Sequence, residues 1–297
     1  MTHDLAGIHF MMPTPFDDLG EIDYECIPRL IKLATDAGCK GVVCLGEMGE
    51  HHRLTESERD VVVKTAIDEA KGKLTVTVGA TAQSTHMAVR NAAMAAELGG
   101  SATMVAPPRM ERTNPETVFN FFKSIDDAVD IPIVVQDLPQ STNVIMPPAF
   151  IARLNQELEH IIYLNLEDPP TPPKVTSVRN IAGDDLGIFG GLGGVFLLEE
   201  LLRGTCGTMT GFAYPEILVS VYNHLTNGEH NQAREVFYRY LPLIRYENQQ
   251  GIGLSIRKEV LKFREALRTA RVRRPGPEID EMTRKELYET IESLGLQ

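Results

Sequence analysis

Short apolar runs alternate with longer segments of helical period about eight times along this chain, and no linker-like break interrupts them. The apolar runs at residues 8–12, 41–45, 74–79, 102–106, 131–137, 161–167, 186–191 and 205–211 read as strands. Between them, residues 24–37, 56–71, 85–98, 115–128 and 148–154 carry helical spacing. Thr55 with Glu58 forms a capping box, and Gly38 and Gly99 stand where helices should stop. Strands joined by crossover helices must lie parallel, and eight such units close into a (β/α)8 TIM barrel; an open doubly wound sheet is the alternative. The pattern therefore predicts an α/β barrel over residues 1–228. Residues 229–297 show no strand signal and read as three helices, a C-terminal α-helical extension packed on the barrel.

Composition narrows the partners. A chain of 297 residues, 43% hydrophobic and 24% charged, has the material for one large core. A net charge of −12 repels phosphate backbones and anionic lipid, so neither nucleic acid nor membrane is expected as a partner. No run approaches the ~20 apolar residues of a membrane helix, and Met1-Thr2-His3-Asp4 lacks the features of a secretory leader, which predicts a cytoplasmic protein. Cys26, Cys39, Cys44 and Cys206 have no metal-like spacing and read as reduced, buried thiols.

A barrel of this kind keeps its active site where the strands end and their loops begin. Those ends read Gly46-Glu47-Met48-Gly49-Glu50, Pro107-Pro108-Arg109, Gln136-Asp137-Leu138-Pro139, Asn165-Leu166-Glu167-Asp168, Gly190-Gly191-Leu192-Gly193-Gly194 and Thr208-Met209-Thr210-Gly211. Period-2 geometry puts Tyr163, Asn165 and Glu167 on one strand face and Ile162, Leu164 and Leu166 on the other. The apolar set belongs under the helices, which leaves Asn165 and Glu167 inside the barrel with Gln136 of the neighbouring strand.

Several motifs together resemble the dihydrodipicolinate synthase / N-acetylneuraminate lyase family of class I aldolases and dehydratases, from about residue 7 to about residue 277. They are Thr14-Pro15-Phe16 with Asp18, Gly20 and Asp23; Gly46-x-x-Gly49-Glu50 followed by Leu54-Thr55 and Glu58-Arg59; Pro139, Thr142 and Val144 with the Pro147-Pro148 helix start; Gly190-Gly191; Gly204-x-x-Gly207; and Arg274-Pro275. The resemblance implies a TIM barrel, a homotetramer, a small 2-oxo acid or sugar acid as ligand, and no cofactor. It also implies a strand-six lysine that forms a Schiff base with the 2-oxo acid, a strand-five tyrosine that relays protons, and hydroxyls of the strand-two loop that hold the carboxylate. Against that pattern, Asn165 stands at the lysine position, Gln136 at the tyrosine and Glu47-Met48 at the hydroxyl pair. An amide cannot form an imine.

Three readings follow from these departures. One is a lyase acting on a 2-oxo acid or sugar acid, by aldol cleavage or dehydration, without the usual lysine. In it Gln136, Asn165 and Glu167 carry catalysis, and Gly46, Glu47, Met48, Arg109, Asp137, Gly191 and Thr210 line the substrate site. Lys174 is the lysine nearest after strand six, and it reads more simply as a solvated residue at the start of the next helix. The second reading is a metal-assisted lyase or hydrolase in which Glu47, Asp137 and Glu167 converge on an ion. The plainer account bonds Glu167 and Asp137 to backbone or to Arg109, and no metal ligand is assigned. His51 and His52 follow Glu50 in a loop expected to lead away from the centre. The third reading is a ligand-binding protein without turnover. In any of the three, Arg109 is the expected anchor for a ligand carboxylate.

Overall fold

A computed structural model describes residues 3–297. Eight parallel strands close into a barrel in chain order: β1 (Gly7–Met11), β2 (Gly41–Cys44), β3 (Thr75–Gly79), β4 (Ala102–Val105), β5 (Ile133–Asp137), β6 (Ile161–Leu166), β7 (Gly187–Gly190) and β8 (Gly207–Thr210). Pairing of β1 with β8 completes the ring. Around it run α1 (Ile27–Asp36), α2 (Glu56–Ala70), α3 (Thr85–Glu97), α4 (Pro115–Asp126), the one-turn α5 (Pro139–Thr142), α6 (Pro148–Glu157), α7 (Thr171–Ala182), α8 (Leu197–Leu202) and α9 (Pro215–Thr226). Three more helices follow: α10 (His230–Glu247), α11 (Gly253–Phe263) and α12 (Glu281–Ser293).

Local chemistry sets these boundaries. The Thr55 hydroxyl accepts from the Glu58 backbone N–H while the Glu58 carboxylate accepts from the Thr55 N–H, so α2 starts with the expected capping box. α4 begins at Pro115, whose missing N–H costs nothing there, after Asn114 accepts from Glu116 and Thr117. β5 begins at Ile133 and not at Ile131, because Pro132 has no N–H to give the ladder and serves it through its carbonyl alone.

Three apolar clusters show which way each strand residue faces. One fills the barrel: Leu5, Met11, Val43, Ala102, Met104, Val134, Tyr163, Phe189 and Met209. The other two lie between strands and helices, one of them holding Ile133, Val135, Ile161, Leu164 and Leu166. The remaining cluster spans α1, α9 and the C-terminal helices, through residues such as Leu30, Leu218, Phe237, Val260 and Leu287. The extension thus shares a core with the barrel wall. At the end of the barrel where strands begin, Tyr163 Oη accepts from the Leu5 N–H at 3.2 Å, and His9 Nε2 lies 2.7 Å from the Leu5 carbonyl. Burial holds the His9 pKa down at about 4, so its ring is neutral and donates to that carbonyl.

One expectation about strand faces needs correction. Ile161 pairs with Ile133 but the next pair is Tyr163 with Val134, so a register shift falls between them. That irregularity turns Ile161 toward the helices and leaves Ile162 against the barrel interior. From Tyr163 onward the alternation holds as expected, with Leu164 and Leu166 outside. Among the described residues no helix is long and apolar enough to cross a membrane.

Candidate active site

Gln136 near the end of β5, Asn165 in β6 and Glu167 just beyond it meet at the C-terminal rim of the barrel. Glu167 Oε1 accepts from Gln136 Nε2 at 3.1 Å and from Asn165 Nδ2 in a short contact. The Asn165 and Gln136 side chains are buried, and Asn165 Oδ1 has no partner of its own. Among the described residues Glu167 makes no ion pair. Burial pushes its pKa up to about 7 against the pull of the two amides, and the charges of Glu47 and Asp137 raise it further. A carboxyl poised there accepts and returns a proton near neutral pH.

Glycines let the opposite wall come close. A Cβ on Gly191, after β7, would stand 2.4 Å from Glu167 Cγ, and one on Gly211, after β8, would stand 2.7 Å from Met48 Cε. Gly191 therefore requires bare backbone, while at Gly211 the end of the Met48 side chain would have to shift. Gly46 packs similarly against Met104 and Met11.

The turn after β2 is held by its own backbone reversal and a buried carboxylate. Glu47–Gly49 makes a 3-10 turn, Glu50 adopts left-handed φ 52°, and His51–Arg53 makes a second 3-10 turn. The fully buried Glu50 carboxylate holds this shape. It takes Lys258 Nζ of α11 at 2.5 Å, Arg53 Nη1 at 2.7 Å and the Arg273 N–H at 2.9 Å. Lys258 also donates to the Thr14 and Arg271 carbonyls. The reversal at Glu50 brings His51 and His52 back beside Glu47, so that one ligand atom of each lies within 4.8 Å of the others. The turn therefore sets both histidines beside Glu47 in the loop that follows β2, His52 on the exposed side.

Three other expected site residues lie elsewhere. Asp137 follows Gln136 and so faces outward, where its Oδ2 takes Lys174 Nζ at 2.6 Å, and Asp168 Oδ2 takes the same ammonium at 2.7 Å. Strand parity alone separates it from Glu167, and the expected grouping of Glu47, Asp137 and Glu167 does not form. Lys174 sits in the first turn of α7, its side chain 10% exposed, locked in these two pairs instead of solvated. Thr210 alternates with the inward Met209, and its methyl lies 3.9 Å from where a Gly194 Cβ would stand. Arg109 is exposed in the loop after β4, and its backbone N–H donates to Gln83; neither Glu167 nor Asp137 bonds to its guanidinium.

A different arginine reaches the rim, from the C-terminal extension. Arg257 of α11 is buried, with Nη1 3.2 Å from Met48 Sδ, Nη2 3.2 Å from Asn248 Oδ1 and Nε 3.6 Å from Glu247 Oε2. A Cβ on Gly193 would touch Nη2 at 2.6 Å. The C-terminal extension therefore contributes a cation to the rim between the β2 and β7 loops. In the sequence its one signal is a charged run, Arg257-Lys258-Glu259, inside an otherwise apolar helix face.

Fold and rim together define a (β/α)8 barrel whose polar site lies at the strand C-termini under a helical extension. The sequence model of the dihydrodipicolinate synthetase family matches residues 4–294, and the chain belongs to that family. It is 32% identical over 285 residues to an L-2-keto-3-deoxyarabonate dehydratase of Azospirillum brasilense, an alignment covering 95% of this chain and 92% of the relative. To a 4-hydroxy-tetrahydrodipicolinate synthase of Methanopyrus kandleri it is 28% identical, over 100% of this chain and 98% of the other. A crystal structure of dihydrodipicolinate synthase from Rhodopseudomonas palustris superposes with TM-score 0.93 at 35% identity, covering 98% of each chain.

Proposed function

We propose that this protein is a lyase that dehydrates a 2-oxo-3-deoxy sugar acid by general acid–base chemistry, without an imine. The observation that carries the reading is Glu167, a carboxyl with a pKa of about 7 held at the barrel rim by two amides. Family membership and the full-length similarity to a 2-keto-3-deoxy sugar acid dehydratase support the substrate class.

In such an acid, the C3 protons are acidic because the C2 carbonyl stabilises the carbanion they leave. Glu167 takes one C3 proton, and the electron pair becomes a C2–C3 enolate. The enolate then expels the C4 hydroxyl, which leaves as water with a proton returned by the protonated Glu167, and C3=C4 forms. The amides of Gln136 and Asn165 fix the carboxyl in place, and Arg257 anchors the substrate carboxylate through its Nη donors. Two facts support a path without an imine: β6 contains no lysine, and Lys174 is held on the outer side by Asp137 and Asp168.

The test is deuterium exchange at C3 of 2-oxo-3-deoxypentonates in D2O, followed by proton NMR. Wild type should exchange the C3 protons, with a rate falling about tenfold per pH unit below about 7, where Glu167 becomes protonated, and level above it. Glu167→Gln should lose roughly 10²-fold or more of that rate. No exchange by wild type across the stereoisomers, or equal exchange by the variant, overturns the reading.

A further inference from the structure

The group formed by Glu47, His51 and His52 has a composition and a position that acid–base chemistry at Glu167 does not use. It offers one carboxylate and two imidazoles, a donor set that suits zinc, manganese, iron or cobalt and leaves coordination positions open. The three ligand atoms lie within 4.8 Å of one another, and one pair is already at metal-site spacing. Metal–ligand bonds of about 2.1 Å put neighbouring tetrahedral ligands roughly 3.4 Å apart, and His51 Nε2 lies 3.4 Å from Glu47 Oε1. His52 is exposed, its ring 5.3 Å from that of His51, so rotation of one free side chain completes the set.

The support beneath these residues is built in the way outer groups hold metal ligands in place. Glu50, in the left-handed conformation that reverses the chain, is fastened by Lys258, Arg53 and the Arg273 N–H. The Thr14 hydroxyl donates to the Gly49 carbonyl at 2.6 Å. The turn is thus fixed from three directions, with His52 exposed at its outer side. Glu47 is also near enough to Glu167 for its charge to be felt there.

We propose that Glu47, His51 and His52 bind a divalent transition-metal ion that receives the C2 carbonyl oxygen and one carboxylate oxygen of the 2-oxo acid. The ion draws electron density from the carbonyl as the C3 proton leaves and so stabilises the enolate, the work an iminium nitrogen does in lysine-dependent lyases. Its catalytic part rests on the dehydration reading above; its binding part does not.

The experiment separates the two. Full-length protein is stripped with a chelator, dialysed, and titrated with MnCl2 and CoCl2 by calorimetry, with the cobalt visible spectrum as a second readout. The expected result is one ion per chain, with affinity at least about tenfold weaker in His51→Ala and in His52→Ala. His52 is exposed, so its variant keeps the fold, which a melting curve checks. Glu167→Gln should bind the ion as wild type does. Absence of stoichiometric binding, or equal binding by the His51→Ala/His52→Ala double variant, overturns the site. If stripped protein exchanges C3 protons at the full rate, the ion has no catalytic part and the acid–base reading stands. If the ion binds and no exchange occurs in any form, the site stands and the dehydratase reading falls.

Discussion

Strands β5 and β6 carry two charged clusters, one on each side of the barrel wall, and they differ in how the charge is neutralised. Outside, Asp137 and Asp168 share the ammonium of Lys174 at 2.6 and 2.7 Å. Inside, Glu167 has amides as partners and no ion pair among the described residues. Each cluster contains a carboxylate pushed up by burial, Asp137 to about 6 and Glu167 to about 7. Lys174 restrains the first, while the neighbouring charges around the second push it higher. Asp137, with its counterion at hand, serves as a brace. Glu167, held by amides alone, is available to a substrate.

Removing the counterion is the strongest way to break this contrast. Lys174→Met leaves Asp137 buried beside a second carboxylate, and chemical denaturation should show a loss of roughly 3 kcal/mol or more. Borohydride trapping with pyruvate and longer 2-oxo acids, mapped by peptide mass, should give no adduct on Lys174. An adduct there would move the lysine from brace to nucleophile.

Arg257 sharpens the inner half of the comparison, as the buried cation that reaches the rim from α11. Arg257→Lys keeps the charge but loses the planar fork, and KM should rise about tenfold with a smaller change in kcat. Arg109→Ala should leave KM within about twofold, since an exposed side chain outside the cluster contributes little. The reverse ranking in steady-state assays would restore Arg109 as the anchor.

The smallest effect is read at Glu200, a fully buried carboxyl bonded to Thr171 and raised to about 7 by burial. A folded-state pKa above the unfolded value means the native protein binds the extra proton between about pH 4.5 and 7, so this group's contribution falls as pH rises through that window. Glu200→Gln removes the dependence. Its melting temperature relative to wild type should increase by a few degrees from pH 5.5 to 7.5, and a constant difference would show that Glu200 does not titrate there.

Much of the barrel was legible because strand parity and helix caps are local. The Thr55–Glu58 box, the stop at Gly38 and the inward set Tyr163, Asn165 and Glu167 all depend on residues within a turn or a strand of one another. The site was half legible for the same reason. Gln136, Asn165 and Glu167 come from adjacent strands in register, whereas Asp137 and Thr210 stand one residue out of phase with the inward set and fall on the outer side.

The chain by itself determined a closed parallel barrel, its rim, and which strand residues meet at its mouth, since periodicity in burial is written into every ten or so residues. Tertiary structure alone decided what surrounds them. That Lys174 turns to Asp137, that Glu50 and Lys258, 208 residues apart, fold His51 and His52 back to Glu47, and that Arg257 enters from the extension are contacts between distant segments. Their energies come from pairing charge away from water, and no local pattern records which partner will be near.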